Sequence, residues 1–399
     1  MSKPTMSPAT RRLMPLYISS FLQSLPFWYA IEKLFMTSIG FDIAAIGMMV
    51  AVMTTVSLLV ETPSGILADR WSRKGVMLLG CTALLASALV GGLSYGVPMF
   101  LVSTVFWGIY NALYSGTYDS VIYDVALEED GNAGQYEKYL GRLRAVEGAG
   151  FVAGALGGGL LANHLGMRET FFLTIPLVLA GGLYLLRFRE PTLHKSELAE
   201  PMLRHIRQTF AAVLRRRILV PIIIATVGVA VLMDAVYELG QLWFIAVSTP
   251  LALYGVISAL VFSTWAIGGL LAPRLHTRAG VLAVFGVVLA GSGALIMSRN
   301  YWILLAAQVM MGTCLVALSV VLARKLQDEL PSRLRAGSSS VMGTLASLVI
   351  IPGSIVFTLA ADRASIFTAS YMLLGLAVVT LVAYLAIRST STPLPATDK

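Results

Sequence analysis

Four carboxylates interrupt long apolar runs of this chain: Glu32, Asp119, Asp234 and Glu238. An acid at the centre of a membrane-spanning helix costs about 2.5–3.5 kcal/mol, so each needs a partner or a polar cavity. Asp234 and Glu238 lie four residues apart, with Gln241 one turn further on. On a helix they share a face. Two carboxylates in one low-dielectric site resist ionising together, which suits proton exchange. Asn111, Ser115 and Asp119 recur every four residues, beside an aromatic stripe of Trp107, Tyr110, Tyr114 and Tyr118. Together they suit the wall of a cavity for an amphiphilic molecule. Asp119 is then the first choice for a proton-linked or cation-binding acid, and the pair Asp234–Glu238 is expected to face it across a pathway. A structural hydrogen bond to a neighbouring helix is the alternative for Asp119, and a wet outer vestibule is the alternative for the pair.

Ser20, Ser24, Trp28 and Glu32 form another polar row at the same spacing. Glu32 is a cavity candidate. Lys33, next to it on a helix, is expected to have a different partner and to snorkel to the outer interface. Thr54, Ser57, Glu61 and Ser64 make a polar face whose Glu61 is expected to pair with Arg142 or Arg144. Glu147, three residues after Arg144, reads similarly.

Other chemistries find no support. His164, His194, His205 and His276 sit at loops or helix ends, without metal-ligand spacing. No phosphate-binding glycine loop, nucleophile triad or cysteine cluster is visible. Neither an enzyme nor an ATP-driven pump is expected, and no cofactor or metal. Cys81 and Cys314 fall inside apolar runs and read as packing residues.

The elements that must position these groups are membrane helices. Hydrophobic residues make up 57% of the chain and charged ones 13%, about half the charge density of a soluble domain. A spanning helix needs about 20 apolar residues. Twelve stretches qualify: 13–36, 43–67, 75–95, 97–121, 144–165, 170–188, 218–246, 250–273, 279–298, 301–323, 338–360 and 366–387. The alternating pattern of membrane barrels is absent, so the expected class is an all-α membrane protein. With both termini cytoplasmic, only Lys33, Arg168, Arg299 and Arg363 of the 29 Lys and Arg fall outside. That asymmetry supports twelve spans. The net charge of +8 is therefore a topology signal and not a nucleic-acid footprint. No cleavable signal peptide is evident before the first run.

The longest polar segment, 189–217, divides the chain into 1–188 and 218–399, two expected bundles of six helices. Residues 201–214 could lie on the cytoplasmic face as an amphipathic helix. The halves echo each other. Gly65-Ile66-Leu67-Ala68-Asp69-Arg70-Trp71-Ser72-Arg73-Lys74 aligns without gaps on Gly269 to Arg278, with Pro273 at the Asp69 position. Arg142-Leu143-Arg144-Ala145 is echoed by Arg333-Leu334-Arg335-Ala336. Parallel repeats of this kind place a pathway at their interface, near the bilayer midplane.

The stretch Gly65-x-Leu67-Ala68-Asp69-Arg70-x-x-Arg73-Lys74 resembles the signature loop between helices 2 and 3 of the major facilitator superfamily. Ser72 stands where glycine is common. The resemblance covers the whole chain and implies two pseudo-symmetric six-helix bundles around a central site. It also implies a cytoplasmic gate: Asp69 would cap the start of span 11, and Arg73 would meet Asp124. Arg70 and Lys74 mainly anchor the loop inside. Gly150, Gly154, Gly158 and Gly159, after Gly141, resemble the antiporter motif of drug-efflux members, with Ala155 in place of its proline. Close helix packing alone also explains these glycines. The stretch from Ser115 to Asp124 resembles bacterial permeases classed as multidrug exporters.

The resemblance implies a proton-coupled exporter of small hydrophobic or cationic compounds, working as a monomer in the inner membrane of a bacterium. The competing readings are a transporter of an endogenous sugar, peptide or siderophore, and a lipid flippase. Expected partners are the small molecule, protons and the bilayer, with no nucleic acid.

Overall fold

The computed structural model describes residues 7–191, apart from 116 and 132–134, and 216–387, apart from 331. The side chains of residues 62, 66, 69, 70 and 332–339 are also outside the described set. Among the described residues there are helices and turns but no strand.

The N-terminal part comprises α1 (Pro8–Gln23), α2 (Glu32–Ser38), α3 (Ile43–Arg70), α4 (Arg73–Leu93), α5 (Val97–Tyr114), α6 (Thr117–Asp130), α7 (Tyr136–Leu165) and α8 (Met167–Leu186). The C-terminal part comprises α9 (Val220–Tyr237), α10 (Gln241–Ala246), α11 (Leu251–Leu271), α12 (Arg278–Met297), α13 (Tyr301–Asp328), α14 (Ser332–Arg363) and α15 (Ile366–Leu385). Side-chain caps mark the tight turns. Asp42 accepts from the Ala45 amide, Ser72 from Gly75, Thr277 from Gly280 and Ser365 from Thr368. Each satisfies a helix-start amide that would otherwise lack a partner. Eleven of the described helical stretches are long and apolar enough to cross a membrane. Large apolar side chains such as Leu59, Leu160, Leu183 and Leu270 stand exposed on their outside, as bilayer-facing residues should. Cys81 and Cys314 are free and buried.

The expected span 1 does not form a single long helix. It is split into α1, a 3-10 turn at Tyr29–Ile31, and α2. Pro26 lacks an N–H and disfavours helix at the residue before it, so the chain breaks there. Span 7 splits likewise into α9 and α10, at Glu238–Gly240. Breaks at membrane depth require substitute partners for the freed backbone groups. Thr174 Oγ1 accepts from the Phe27 amide at 3.1 Å, and Gln308 Nε2 donates to Gly240 O at 3.0 Å.

The two breaks are related by a repeat. A shift of 208 residues places Tyr29 on Tyr237, Leu34 on Leu242, Gly40 on Ser248 and Gly47 on Gly255. Gly40 and Ser248 both adopt left-handed backbone, at φ 98° and 53°. Beyond the first turn the shift is 204, which relates Gly65 to Gly269 and Asp124 to Asp328.

We call the end where α1 starts the near face and the opposite end the far face. The parts join at the far face, where α7 packs along α11 and α3 along α14. A Cβ added to Gly159 would lie 2.5 Å from Gly255 Cα, so these backbones touch. Ser354 Oγ donates to Gly47 O at 3.4 Å on the other side of the junction.

Candidate functional site

The far-face junction holds a buried charge cluster. After the Pro26 break, α2 turns its first residues towards α9 and α10. Lys33 Nζ lies 3.3 Å from Glu238 Oε2 and also pairs with Glu32, its neighbour in sequence. Tyr29 OH donates to Glu238 Oε1 at 2.7 Å. Gln241 accepts from the Lys33 amide at 3.1 Å and donates to Tyr29 O at 2.9 Å. Ser258 Oγ donates to Ala30 O at 3.2 Å. Lys33 is 1% exposed and Glu32 4%, so a lysine buried among apolar helices holds two carboxylates. Asp234, a turn before Glu238, interacts electrostatically with Glu238 and Lys33. It has no hydrogen-bond or ion-pair partner among the described residues. Two acids thus pair with one ammonium, and a third, Asp234, lies one helical turn from Glu238. Such a cluster can take up a proton or a cation more cheaply than it can carry its full negative charge.

Two expectations are corrected here. Lys33 does not snorkel to an interface, and Glu32 and Lys33 do not have separate partners. The broken helix turns the pair inward, where both side chains are buried and meet on one site.

The aromatic stripe supports this cluster from below. Trp28 stacks on Phe171 with ring centroids 5.1 Å apart and meets Trp107 edge-on at 5.0 Å. Tyr29 stacks on Phe262 of the C-terminal part at 5.5 Å. Trp28, Trp107, Tyr110 and Tyr118 are all buried in the core. They pack the N-terminal part, and of the stripe Tyr114 lines the cavity described next.

That cavity, of about 420 Å³, lies nearer the near face and is lined by Ser57, Glu61, Asn111, Ala112, Tyr114, Ser115, Asp119 and Arg144. Asp119 stands in the first turn of α6, just past the break at Ser115. Both its oxygens accept from Arg144, at 2.7 and 3.0 Å. Arg144 also donates to Glu147 at 3.0 Å. Glu147 in turn accepts from Tyr114 and, at 3.2 Å, from Ser20. Gln23 joins Tyr118 to Ser19. Asp119 therefore does not face the pair Asp234–Glu238. Asp119 pairs with Arg144 in the near cavity, whereas Glu238 pairs with Lys33 at the far junction. Glu61 pairs with neither Arg142 nor Arg144, because Arg142 reaches Thr10 and Arg144 is already held by two acids.

The turn between α3 and α4 brings Arg73 onto Asp124, which is 4% exposed. Glu190, which sequence reasoning missed, accepts from Ser72 Oγ at 2.7 Å and the Arg73 amide at 2.6 Å, at the start of α4. A carboxylate is favoured there by the helix dipole. Lys74 Nζ donates to Leu186 O and Phe188 O. Gly65 lies within α3. The side chains of Asp69 and Arg70, those at the start of α14 that Asp69 is expected to cap, and the 201–214 segment lie outside the described residues.

The glycine row of α7 faces the broken first span. A Cβ on Gly150 would lie 2.7 Å from Ser24 Cβ, one on Gly154 3.1 Å from Leu25 Cα, and one on Gly158 would collide with Phe27 O. Gly159 continues the row onto α11.

A family model described as Major Facilitator Superfamily matches residues 13–354. The chain belongs to the major facilitator superfamily. It is a multi-pass protein of the inner membrane. Among curated superfamily relatives, the multidrug resistance protein MdtG of Salmonella arizonae is 24% identical over 212 residues. That match covers 53% of this chain and 50% of that protein, and MdtG of Salmonella typhi matches to the same extent. The chain thus spans about half the length of the curated relatives it matches. Among solved structures, the nucleoside transporter NupG superposes with a TM-score of 0.78 at 16% identity, covering 94% of this chain and 98% of that one. A bacterial homolog of the human lysosomal transporter Spinster, in an inward-facing and occupied conformation, gives 0.71 at 15%, covering 98% and 100%. These superpositions establish the superfamily fold.

Proposed function

We propose that this chain is a proton-coupled exporter of small hydrophobic or cationic compounds. Twelve spans form two six-helix bundles, 1–188 and 218–399, joined by the linker 189–217. Both termini and the near face are cytoplasmic, as the distribution of Lys and Arg supports. The bundles rock about their interface to expose the pathway alternately to each side. The interlocked far face then corresponds to a conformation closed to the outside.

One observation carries this reading: a single buried ammonium, Lys33, pairs with Glu32 of its own part and with Glu238 of the other at their junction. Opening the far face must separate Glu238 from Lys33 and Tyr29. A proton on Glu238 weakens both contacts, so proton binding and opening are linked. Export and a drug-like cargo draw support from the MdtG relatives and from the glycine row of α7. A monomer suffices, since the pathway lies between parts of one chain.

A polar metabolite is the second reading. The near cavity favours it through Ser57, Asn111 and Ser115, which present hydroxyl and amide groups beside Arg144. Proteoliposomes with an imposed pH gradient separate the two. Gradient-driven movement of a hydrophobic cation, lost in Glu238→Gln, supports the first. Movement of a sugar or nucleoside with no response to the gradient overturns it.

A further inference from the structure

The near face carries a second groove that the transport reading leaves unused. It measures about 550 Å³ and lies between the turn after α11 and the last turns of α13. Its walls include Leu275, Val320 and Val321, and its rim carries His276, Arg324, Lys325 and Asp328.

The internal repeat explains the space. A shift of 204 residues relates Arg73 to Thr277 and Asp124 to Asp328. In the N-terminal part the Arg73 guanidinium fills this position, lying on Asp124. Thr277 is too short to do so, and its hydroxyl is used to cap α12. Asp328 is left to Arg324 at 3.9 Å, with side chains 70% and 85% exposed.

The charges around the groove are correspondingly under-partnered. In the N-terminal part Arg12 holds Glu128 and Glu129, Arg73 holds Asp124, and Arg144 holds Asp119 and Glu147. Around the groove, Arg274 and His276 have no hydrogen bond or ion pair among the described residues. Lys325 has one cation–π contact, 6.0 Å from the Tyr384 ring. Two permanent cations of the rim, Arg324 and Lys325, thus face one carboxylate among the described residues, with Arg274 next to the lining in sequence. Leu270, one turn before the groove on α11, is 73% exposed, so apolar surface runs from the groove towards the bilayer.

We propose that this groove binds the phosphate headgroup of an anionic phospholipid from the near-face leaflet. Basic recesses between spanning helices at the membrane surface recognise such headgroups. Arg324 and Lys325 supply the cations, and the first carbons of the acyl chains lie along Leu275, Val320 and Val321. A free phosphate ion would satisfy the cations but leave this apolar wall unused.

The test uses the purified full chain in nanodiscs of phosphatidylcholine doped with phosphatidylglycerol. Lipid retained after transfer to detergent is measured by native mass spectrometry. The wild type retains phosphatidylglycerol over phosphatidylcholine, and inorganic phosphate does not displace it. In the double variant Arg324→Gln, Lys325→Gln, retention falls at least about tenfold, while Arg299→Gln on the far face leaves it unchanged. If the double variant does not fold, the single variants Arg324→Gln and Lys325→Gln are each expected to show a partial loss. Equal retention by wild type and folded variants overturns the proposal. So does displacement by inorganic phosphate, which would make the groove a site for soluble anions. None of these readouts depends on cargo or on a pH gradient.

Discussion

Lys33 Nζ and Glu238 Oε2, 205 positions apart in sequence, meet at 3.3 Å in the interior of the far-face junction. The pair ties the first broken span to the seventh: Lys33 sits just beyond the first break and Glu238 at the second. Cutting it from one side leaves buried charge without an opposite. Lys33→Met should therefore destabilise the protein by about 3–5 kcal/mol. The midpoint of thermal unfolding in detergent reads this out. The double variant Lys33→Met, Glu238→Gln should recover part of the loss, and a double variant no more stable than Lys33→Met would argue against the pairing.

Glu238→Gln keeps a group able to bond with Tyr29 but removes the charge that Lys33 attracts. Under the proposed mechanism, cargo exchange across equal pH continues while pH-driven accumulation is lost. For the wild type, export should speed up as the outside is acidified, because protons enter from the far face. Parallel counterflow and gradient-driven assays in proteoliposomes measure both. Loss of exchange together with accumulation would point to a purely structural role.

Asp119 and Glu147 should respond differently to neutralisation, although Arg144 holds both. The Asp119–Arg144 pair is half exposed, with side chains 36% and 51% accessible. Exposed pairs contribute up to about 1 kcal/mol, so Asp119→Asn should shift stability little. Glu147 is 8% exposed and also receives Tyr114 and Ser20. Its neutral analogue should cost roughly 1–3 kcal/mol more. Chemical unfolding of the two variants compares them directly.

Gly159 meets Gly255 backbone to backbone across the junction. Gly159→Leu should hold the far face apart and stop transport, whereas Gly141→Ala, where nothing lies within 4 Å of an added Cβ, should be tolerated. Spin-label distances between Asp42 and Ser365 positions, each replaced by cysteine, should lengthen in Gly159→Leu alone.

Much of the fold was legible because the membrane leaves few options: an apolar run of the right length must be a helix. The Arg73–Asp124 contact was also legible, through a motif with a known partner position. What the sequence obscured was the split of span 1. Pro26 lies in an apolar stretch whose overall length still suits a crossing, so hydropathy counts it as continuous. A continuous helix would carry Lys33 to the outer interface, whereas the break turns it inward. Glu190 was hidden for another reason. Its role depends on the chain after α8 folding back over the start of α4, which no local pattern encodes. The aromatic stripe had the right period for one face, but periodicity does not say whether that face meets a cavity or another helix.

The adjacency of Glu32 and Lys33 has a consequence for biogenesis. The chain emerges from the ribosome in order, and Glu238 does not exist until 205 further residues have followed Lys33. In that interval the neighbouring Glu32, which pairs with Lys33 in the finished molecule, is the carboxylate already at hand for the ammonium. Only when the seventh span arrives does the lysine gain its distant partner. A variant lacking Glu32 should then fail earlier than one lacking Glu238, at insertion of the first span and not at closure of the finished molecule.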